Sequence, residues 1–382
     1  MKILSTHIST PENNAEWWRI SNIAKIMGEA GHDVDLVHYC GKSKYDNFKE
    51  KNQFPNDKFI ITSQLGVYFK HLKILRENKY DLVYANTGAA TFCSLSGRLT
   101  KVPLVFDMHG DLLQELLLRC GKSMNPKFLA NYLLLKIMDY ANLKGSNKII
   151  CVSNRMIDYL HTNKGVALDK MDYVTNGVDL DFFTQKNHKV QELKQELGLE
   201  EKLIFGYLGG FQSWQGVENL INSALTIDDD EIAFLIVGGQ EKPDNVANKN
   251  IIFIPKINRL EVPNYYSLCD VLILPRPSHL ATEMAAPTKF AEYTSMGKPV
   301  LTSNVGDAAD LVTKYNSGIV VKDNSVDNMV EGINQFKDLN PTSLRKMGKN
   351  SRKLAETEFD WRLVGKNLLK SLEKIDNTQI TK

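Results

Sequence analysis

Short apolar, β-branched runs recur along the whole chain with helical stretches between them, and this constrains the fold more than any other feature. In the first half the runs fall at residues 2–5, 35–39, 59–62, 82–85, 104–108, 149–152 and 173–175. In the second half they fall at 203–208, 234–237, 251–254, 271–274, 300–303 and 319–321. Continuously apolar strands alternating with helices mean parallel sheets covered on both faces. Two such series predict two doubly wound α/β domains, and 382 residues are too many for one ordinary core. The polar, charge-dense segment 181–202 reads as the linker, which sets the domains at 1–180 and 203–357. In the terminal segment 358–382, Trp361, Val364, Leu368, Leu372 and Ile375 lie three or four apart. That is one stripe of a helix, expected to pack back on the N-terminal domain.

Composition excludes several classes. Hydrophobic residues at 43% and charged residues at 24% are globular values. No apolar run approaches the roughly 18 residues of a membrane span. The first residues, MKILSTHISTPENN, read as a first strand and not as a signal peptide. The five cysteines are scattered without a CxxC pair, as expected of reduced, mostly buried thiols in a cytoplasmic protein. A net charge of +2 argues against a general nucleic-acid binder. Its distribution is uneven, since residues 51–150 hold 14 basic against 7 acidic side chains. A basic face there suits an anionic membrane surface or a phosphorylated lipid, and a solvated lysine-rich surface accounts for it equally well.

Ligands of doubly wound sheets bind beyond the carboxyl ends of strands, often at helix N-termini. Five post-strand segments therefore matter. Asn13 and Asn14 follow the first run and suit a helix cap, with Arg19 in the helix behind them. This is no GxGxxG turn, so a nicotinamide site is not indicated. His109 ends the fifth run, with Asp107 and Asp111 as groups to orient it. Gly209, Gly210 and Gly216 make a loop through Gln215 whose amides can approach a diphosphate. Arg276 is held between two prolines as an anion clamp. Finally, in ATEMAAPTKFAEYTSMGKPVL, Pro287 and Gly297 delimit a helix of about 287–296. Thr288, Lys289 and Glu292 share one face of it. Each segment also has a plainer reading: a helix cap, a structural histidine, a glycine-rich turn, or a surface ion pair.

In order and spacing, these segments resemble the retaining glycosyltransferases of the GT-B fold, family 4. The resemblance rests on VFDMHGDLLQE, CVSNRM, YVTNGVDLDFF, YLGGFQSWQGVENLI, YYSLCDVLILPR and PTKFAEYTSMGKPV, and runs from the first strand to the last helix. It implies two Rossmann-like domains facing a central cleft, with the acceptor on the N-terminal domain and a UDP- or GDP-sugar on the C-terminal one. It implies transfer with retention and neither cofactor nor metal. It also implies a glycan or lipid-linked acceptor, and a cytoplasmic location, peripheral to the inner membrane face.

The chain departs from the family pattern in three places. Asn13-Asn14 stands for a Gly-Gly pair, and the loop at 209–216 lacks the usual arginine and lysine. Met284 stands eight residues before Glu292, where the family carries a first glutamate, and Glu283 is one step further back. The work of holding a leaving diphosphate accordingly passes to Arg276 and Lys289, with Arg19 as a third cation. His109 is expected near the transferred sugar and Glu292 on the ribose. The first glutamate's role is left to Glu283 or to the backbone of 284–286. Two other readings fit the same residues: a catalytically silent subunit of this fold, and a nucleotide-sugar epimerase.

Overall fold

A computed structural model describes residues 1–9, 15–49, 58–120, 125–185, 190–239 and 250–380. The chain divides into two compact units, Met1–Thr175 with Val364–Lys382, and Asn176–Leu363.

In unit 1, β1 (Lys2–His7), β2 (Asp33–Cys40), β3 (Lys58–Ile61), β4 (Leu82–Asn86), β5 (Leu104–Met108), β6 (Lys148–Cys151) and β7 (Met171–Tyr173) form one parallel sheet. Its order is β3-β2-β1-β4-β5-β6-β7. β1, β4, β5 and β6 are buried almost throughout, which is why their sequences are continuously apolar. β7 lies two residues earlier than its apolar run. The carbonyls of Val174 and Thr175 leave the ladder and accept from Arg19 Nη2 and Nη1 at 2.9 and 2.8 Å.

In unit 2, β8 (Leu203–Leu208), β9 (Ile232–Gly239), β10 (Ile251–Pro255), β11 (Val271–Leu274), β12 (Val300–Ser303) and β13 (Gly318–Val321) form a second parallel sheet. Its order is β10-β9-β8-β11-β12-β13. Strand order reverses between β1 and β4 in one sheet and between β8 and β11 in the other. The loops beyond those strand ends are the places where such a sheet takes a ligand.

The expected boundaries shift. The described residues of the 181–202 segment are not a linker but part of unit 2. Its helix Val190–Glu196 places Val190, Leu193 and Leu197 against that core, and Leu199 is fully buried. Their spacing of three and four is an amphipathic stripe hidden among charges. The stretch before it also belongs to unit 2, where Val178, Leu180 and Phe183 are core residues. Val178 N donates to Phe359 O at 2.7 Å, and Gly177 lies so close to the Trp361 ring that a Cβ would meet it at 2.3 Å.

The terminal helix, Trp361–Ile380, buries Val364, Leu368, Leu372 and Ile375. From Val364 onward it belongs to unit 1, where Ser371 and Lys374 hold Asp172 at 2.6 and 2.7 Å. Among the described residues, no helix is long and apolar enough to cross a membrane.

Candidate functional site

The segment after β8 and the segment after β11 flank the reversal point of unit 2, and they bring two cations together. Tyr207 lies between them. Its hydroxyl donates to the Gly210 carbonyl at 2.7 Å, and its ring lies 5.2 Å from Lys289 Nζ. Lys289 Nζ donates to Gln215 Oε1 at 2.8 Å and to the Tyr207 hydroxyl at 3.4 Å. Gly209 is the floor under this amine, where a Cβ would stand 2.7 Å from Nζ. Crowding around Nζ, with Arg276 nearby, lowers the Lys289 pKa to about 7 against a smaller opposing pull from Glu292. Arg276 is 7% exposed, and its Nε is buried without a hydrogen-bond partner. Burial brings its pKa down to about 10, with Tyr207 and Glu283 opposing. No carboxylate among the described residues forms an ion pair with either cation. Buried Arg276 and half-buried Lys289, neither with a counter-ion among the described residues, stand beside a glycine loop and form a site that an anion would stabilise.

The helix behind Lys289 runs Thr288–Ser295, with Pro287 at the N-cap and Met296 at the C-cap, one residue inside each expected end. Thr288 and Lys289 occupy its first turn, whose amides point away from the helix body. Glu292, on the next turn, is 6% exposed. Its Oε2 accepts from the Tyr266 hydroxyl at 2.8 Å and its Oε1 pairs with Arg259 at 3.1 Å. Each oxygen keeps a second lone pair, so the carboxylate can still accept a hydroxyl. Arg259, in the short 3₁₀ turn Arg259–Glu261 after β10, was not singled out in the sequence. Its partner lies 33 positions away, and nothing local signals the contact.

Glu283 is committed elsewhere. Its Oε2 accepts from Gly306 N at 2.7 Å, at the start of helix Gly306–Tyr315, and its Oε1 accepts from Ser278 at 3.0 Å. Met284 is core, 1% exposed. Of the backbone around it, the Ala286 carbonyl accepts from Asn176 at 2.6 Å.

Gly216 caps both the turn that carries Gln215 and the helix Val217–Thr226. Its φ is +72°, and a Cβ would stand 1.7 Å from the Pro275 carbonyl oxygen. Gly216→Ala is therefore expected to cost on the order of 3 kcal/mol in denaturant unfolding of unit 2. Gly28→Ala, on an open helix surface with no atom within 4 Å, should be neutral or better. Equal stability of the two variants would refute this reading of the loop.

In unit 1 a second polar cluster forms at the end of β5. Asp107, fully buried, bridges Arg19 and His109: Arg19 Nη2 reaches Oδ1 at 2.8 Å and His109 Nε2 reaches Oδ2 at 3.0 Å. Burial alone would raise the Asp107 pKa. The charges of Arg19 and His109 and the hydrogen bonds from both together outweigh it and hold the carboxyl far below the usual range. His109 N donates to Thr87 Oγ1 at 3.0 Å, so the ring is fixed at both ends of its residue. Asp111 does not orient His109. It caps helix Leu112–Cys120 by accepting from Leu113 N and Gln114 N at 2.9 and 3.0 Å. Arg19 is not a cation waiting for a phosphate, because its guanidinium is spent on Asp107 and on the Val174 and Thr175 carbonyls. Asn13 and Asn14 lie outside the described residues.

Aspartates that stand one or two positions from another acid have structural duties. Asp35 binds Lys58 and Tyr80, Asp179 caps a turn at Asp181, and Asp229 pairs with Lys337. No group of three or more His, Cys, Asp or Glu among the described residues is arranged to hold a metal.

Comparison with known proteins gives two family matches. The model for Glycosyltransferase Family 4 matches residues 18–182, and the model for Glycosyl transferases group 1 matches residues 189–354. The capsular polysaccharide biosynthesis glycosyltransferase CapM of Staphylococcus aureus is 23% identical over 363 residues, 90% of each chain. The Escherichia coli UDP-Gal:alpha-D-GlcNAc-diphosphoundecaprenol alpha-1,3-galactosyltransferase is 23% identical over 324 residues, 81% of this chain and 77% of that one. Spore coat protein SA of Bacillus subtilis is 24% identical over 252 residues, 59% of this chain, and the match spans 65% of its own length. Among solved structures, Anabaena HepE in complex with UDP superposes with a TM-score of 0.76 at 17% identity, covering 98% of this chain and all of that one.

Proposed function

Because the chain belongs to the GT-B glycosyltransferases, family 4 in its first half and group 1 in its second, we propose that it moves one sugar from a UDP- or GDP-sugar onto a glycan or lipid-linked acceptor with retention of configuration. The observation that carries this is the Arg276–Lys289 pair: one buried and one half-buried cation, neither paired with a carboxylate among the described residues, beside Gly209 and the first turn of the Thr288 helix. In this reading they hold the donor diphosphate. As the bond from the anomeric carbon to the diphosphate breaks, negative charge grows on the leaving oxygen and positive charge on the ring. Preorganised cations and helix amides stabilise the first of these without reorganising. The acceptor hydroxyl forms the new bond and its proton passes to the departing phosphate oxygen. Glu292 accepts from the ribose hydroxyls, with Arg259 and Tyr266 fixing its carboxylate. His109, held by Asp107, is assigned to the transferred sugar, and unit 1 to the acceptor.

The lipid-diphosphate substrate named for the E. coli relative supports a lipid-linked acceptor, and with it a place at the cytoplasmic face of a membrane. The two cations do the work a divalent ion would do, so no metal enters the proposed reaction.

Calorimetric titration with UDP- and GDP-sugars in excess EDTA tests this. Binding of one nucleotide class is expected. Its diphosphate diester is ionised throughout the neutral range, so the titrating group is Lys289, at about 7 in the empty site. Anion binding favours the charged amine. Affinity should therefore be full below pH 7 and fall toward tenfold per pH unit above it, with one proton taken up. Lys289→Arg should flatten that profile. Absence of binding by every nucleotide sugar, or a pH-independent affinity in the wild type, would overturn the donor assignment.

A further inference from the structure

Unit 1 carries an apolar face that its own fold does not cover. The helix Pro126–Gly145 exposes Leu129, Leu133, Ile137 and Tyr140, the last three at 59%, 58% and 66%. Their spacing of four, four and three puts them on one face. The helix Ala90–Thr100 packs beside it and adds Leu95 and Leu99, at 47% and 61%.

The charge around this face has one sign. Lys127, Lys136 and Lys144 are exposed on the longer helix, and its one acid, Asp139, is occupied by Lys164 at 2.7 Å. Where the two helices meet, a cleft is lined by Ser94, Arg98, Lys101, Gly145 and Asn147. No carboxylate among the described residues pairs with Arg98, Lys101 or Lys144. Lys170, bonded to the Leu143 carbonyl at 2.7 Å, has its pKa lowered by burial and then by Lys144 and Arg98, so these cations repel one another without an acid between them.

We propose that the helices Ala90–Thr100 and Pro126–Gly145 dock on an anionic phospholipid surface, the leucines, Ile137 and Tyr140 entering the interface while Arg98, Lys101 and Lys144 take lipid phosphates. An apolar stripe bordered by lysines lies in the plane of a membrane. The lysines within the helix keep it from spanning one. A second copy of the chain is the poorer occupant, since a two-fold contact would set these uncompensated cations against themselves. The docking does not rest on the donor chemistry. It is read without nucleotide, so its failure is separable from failure of the transferase reading.

The test is flotation of the full chain with vesicles of phosphatidylglycerol and phosphatidylcholine in equal parts, against phosphatidylcholine alone. Binding to the anionic vesicles, several-fold weaker on phosphatidylcholine and reduced by high salt, is expected. Leu133→Glu/Ile137→Glu should abolish it. Arg98→Glu/Lys101→Glu should lower it on the order of tenfold or more. All these side chains are exposed, so both variants should melt as the wild type does; the charge pair is the independent check if the glutamates perturb the helix. Absence of flotation, equal flotation on both vesicle types, or variants that bind like the wild type would each overturn the proposal. So would sedimentation showing a dimer that Leu133→Glu/Ile137→Glu dissociates in a protein that ignores vesicles.

Discussion

Lys289→Met should lower kcat by about 10²–10³-fold, the usual effect of removing one preorganised charge-stabilising donor. Arg276→Lys should do the same to a lesser degree, keeping the charge but losing the planar fork. The reason lies in how the two groups are held. Lys289 Nζ is aimed by Gln215 and by the Tyr207 ring, and Gly209, lacking a Cβ, gives the amine the room it occupies. Arg276 keeps a buried nitrogen without a partner. Burial disfavours the charge on both, and Arg276 disfavours it further on Lys289, so a diphosphate gains from both. The double variant should lose less than the product of the single losses, because both act on one anion. Gln215→Glu is the sharper test. A carboxylate there would neutralise Lys289 in place, leaving its packing intact while repelling the donor. Steady-state kinetics with the nucleotide sugar found by calorimetry gives the readout. Wild-type turnover in Gln215→Glu and Lys289→Met would remove the pair from the mechanism.

Asp107→Asn should destabilise unit 1 by about 3–5 kcal/mol, because it leaves the Arg19 charge buried and unmatched. That corresponds to a fall of order 10 °C in the melting transition of this unit, with the transition of unit 2 unmoved. Asp107 is held far below its ordinary pKa, so its stabilisation is complete above the unfolded carboxylate range. It is lost progressively as pH falls from that range through the folded value, and is gone in strong acid. Arg19→Met/Asp107→Leu should recover much of the stability, since an apolar pair of similar volume removes the desolvation cost. It should not recover activity, because His109 loses the carboxylate that fixes its ring. Calorimetric scanning and turnover on the same three proteins separate the two roles. An Asp107→Asn protein that melts like the wild type would show that the bridge contributes nothing.

What the sequence made legible follows from range. Strands of a parallel sheet are buried on both faces and betray themselves locally, so every apolar run marks a strand, though at 173–175 only its first residue stays in the ladder, and both sheets were readable. The helix ends at Pro287 and Gly297 were equally local. Partnerships across the chain were not. Arg19 looks like a free cation near a loop, yet its carboxylate lies 88 residues on and its carbonyls 155 and 156. Glu283 looks like a sugar ligand until Gly306 supplies an amide to it. Helix Val190–Glu196 reads as linker because charge outnumbers apolar residues there, although Val190 and Leu193, with Leu197 just beyond its end, suffice to anchor it. Nothing local in the stretch 126–145 marks which of its leucines stay wet, and only the structure says so.

On the ribosome, the strands and helices through Thr175 emerge well before the helix that completes their core. The residues that close it, Val364, Leu368, Leu372 and Ile375, are made only after all of unit 2. Unit 2 is continuous and can close as soon as Leu363 is free of the exit tunnel. The half translated second is thus the half finished first. The half translated first must wait, its groove beside Ile26 unfilled, for some 190 residues of synthesis. At roughly 5–20 residues per second that is a delay of about ten to forty seconds, in which a nascent chain with apolar surface on show needs a chaperone or a slow partner to keep it from its neighbours.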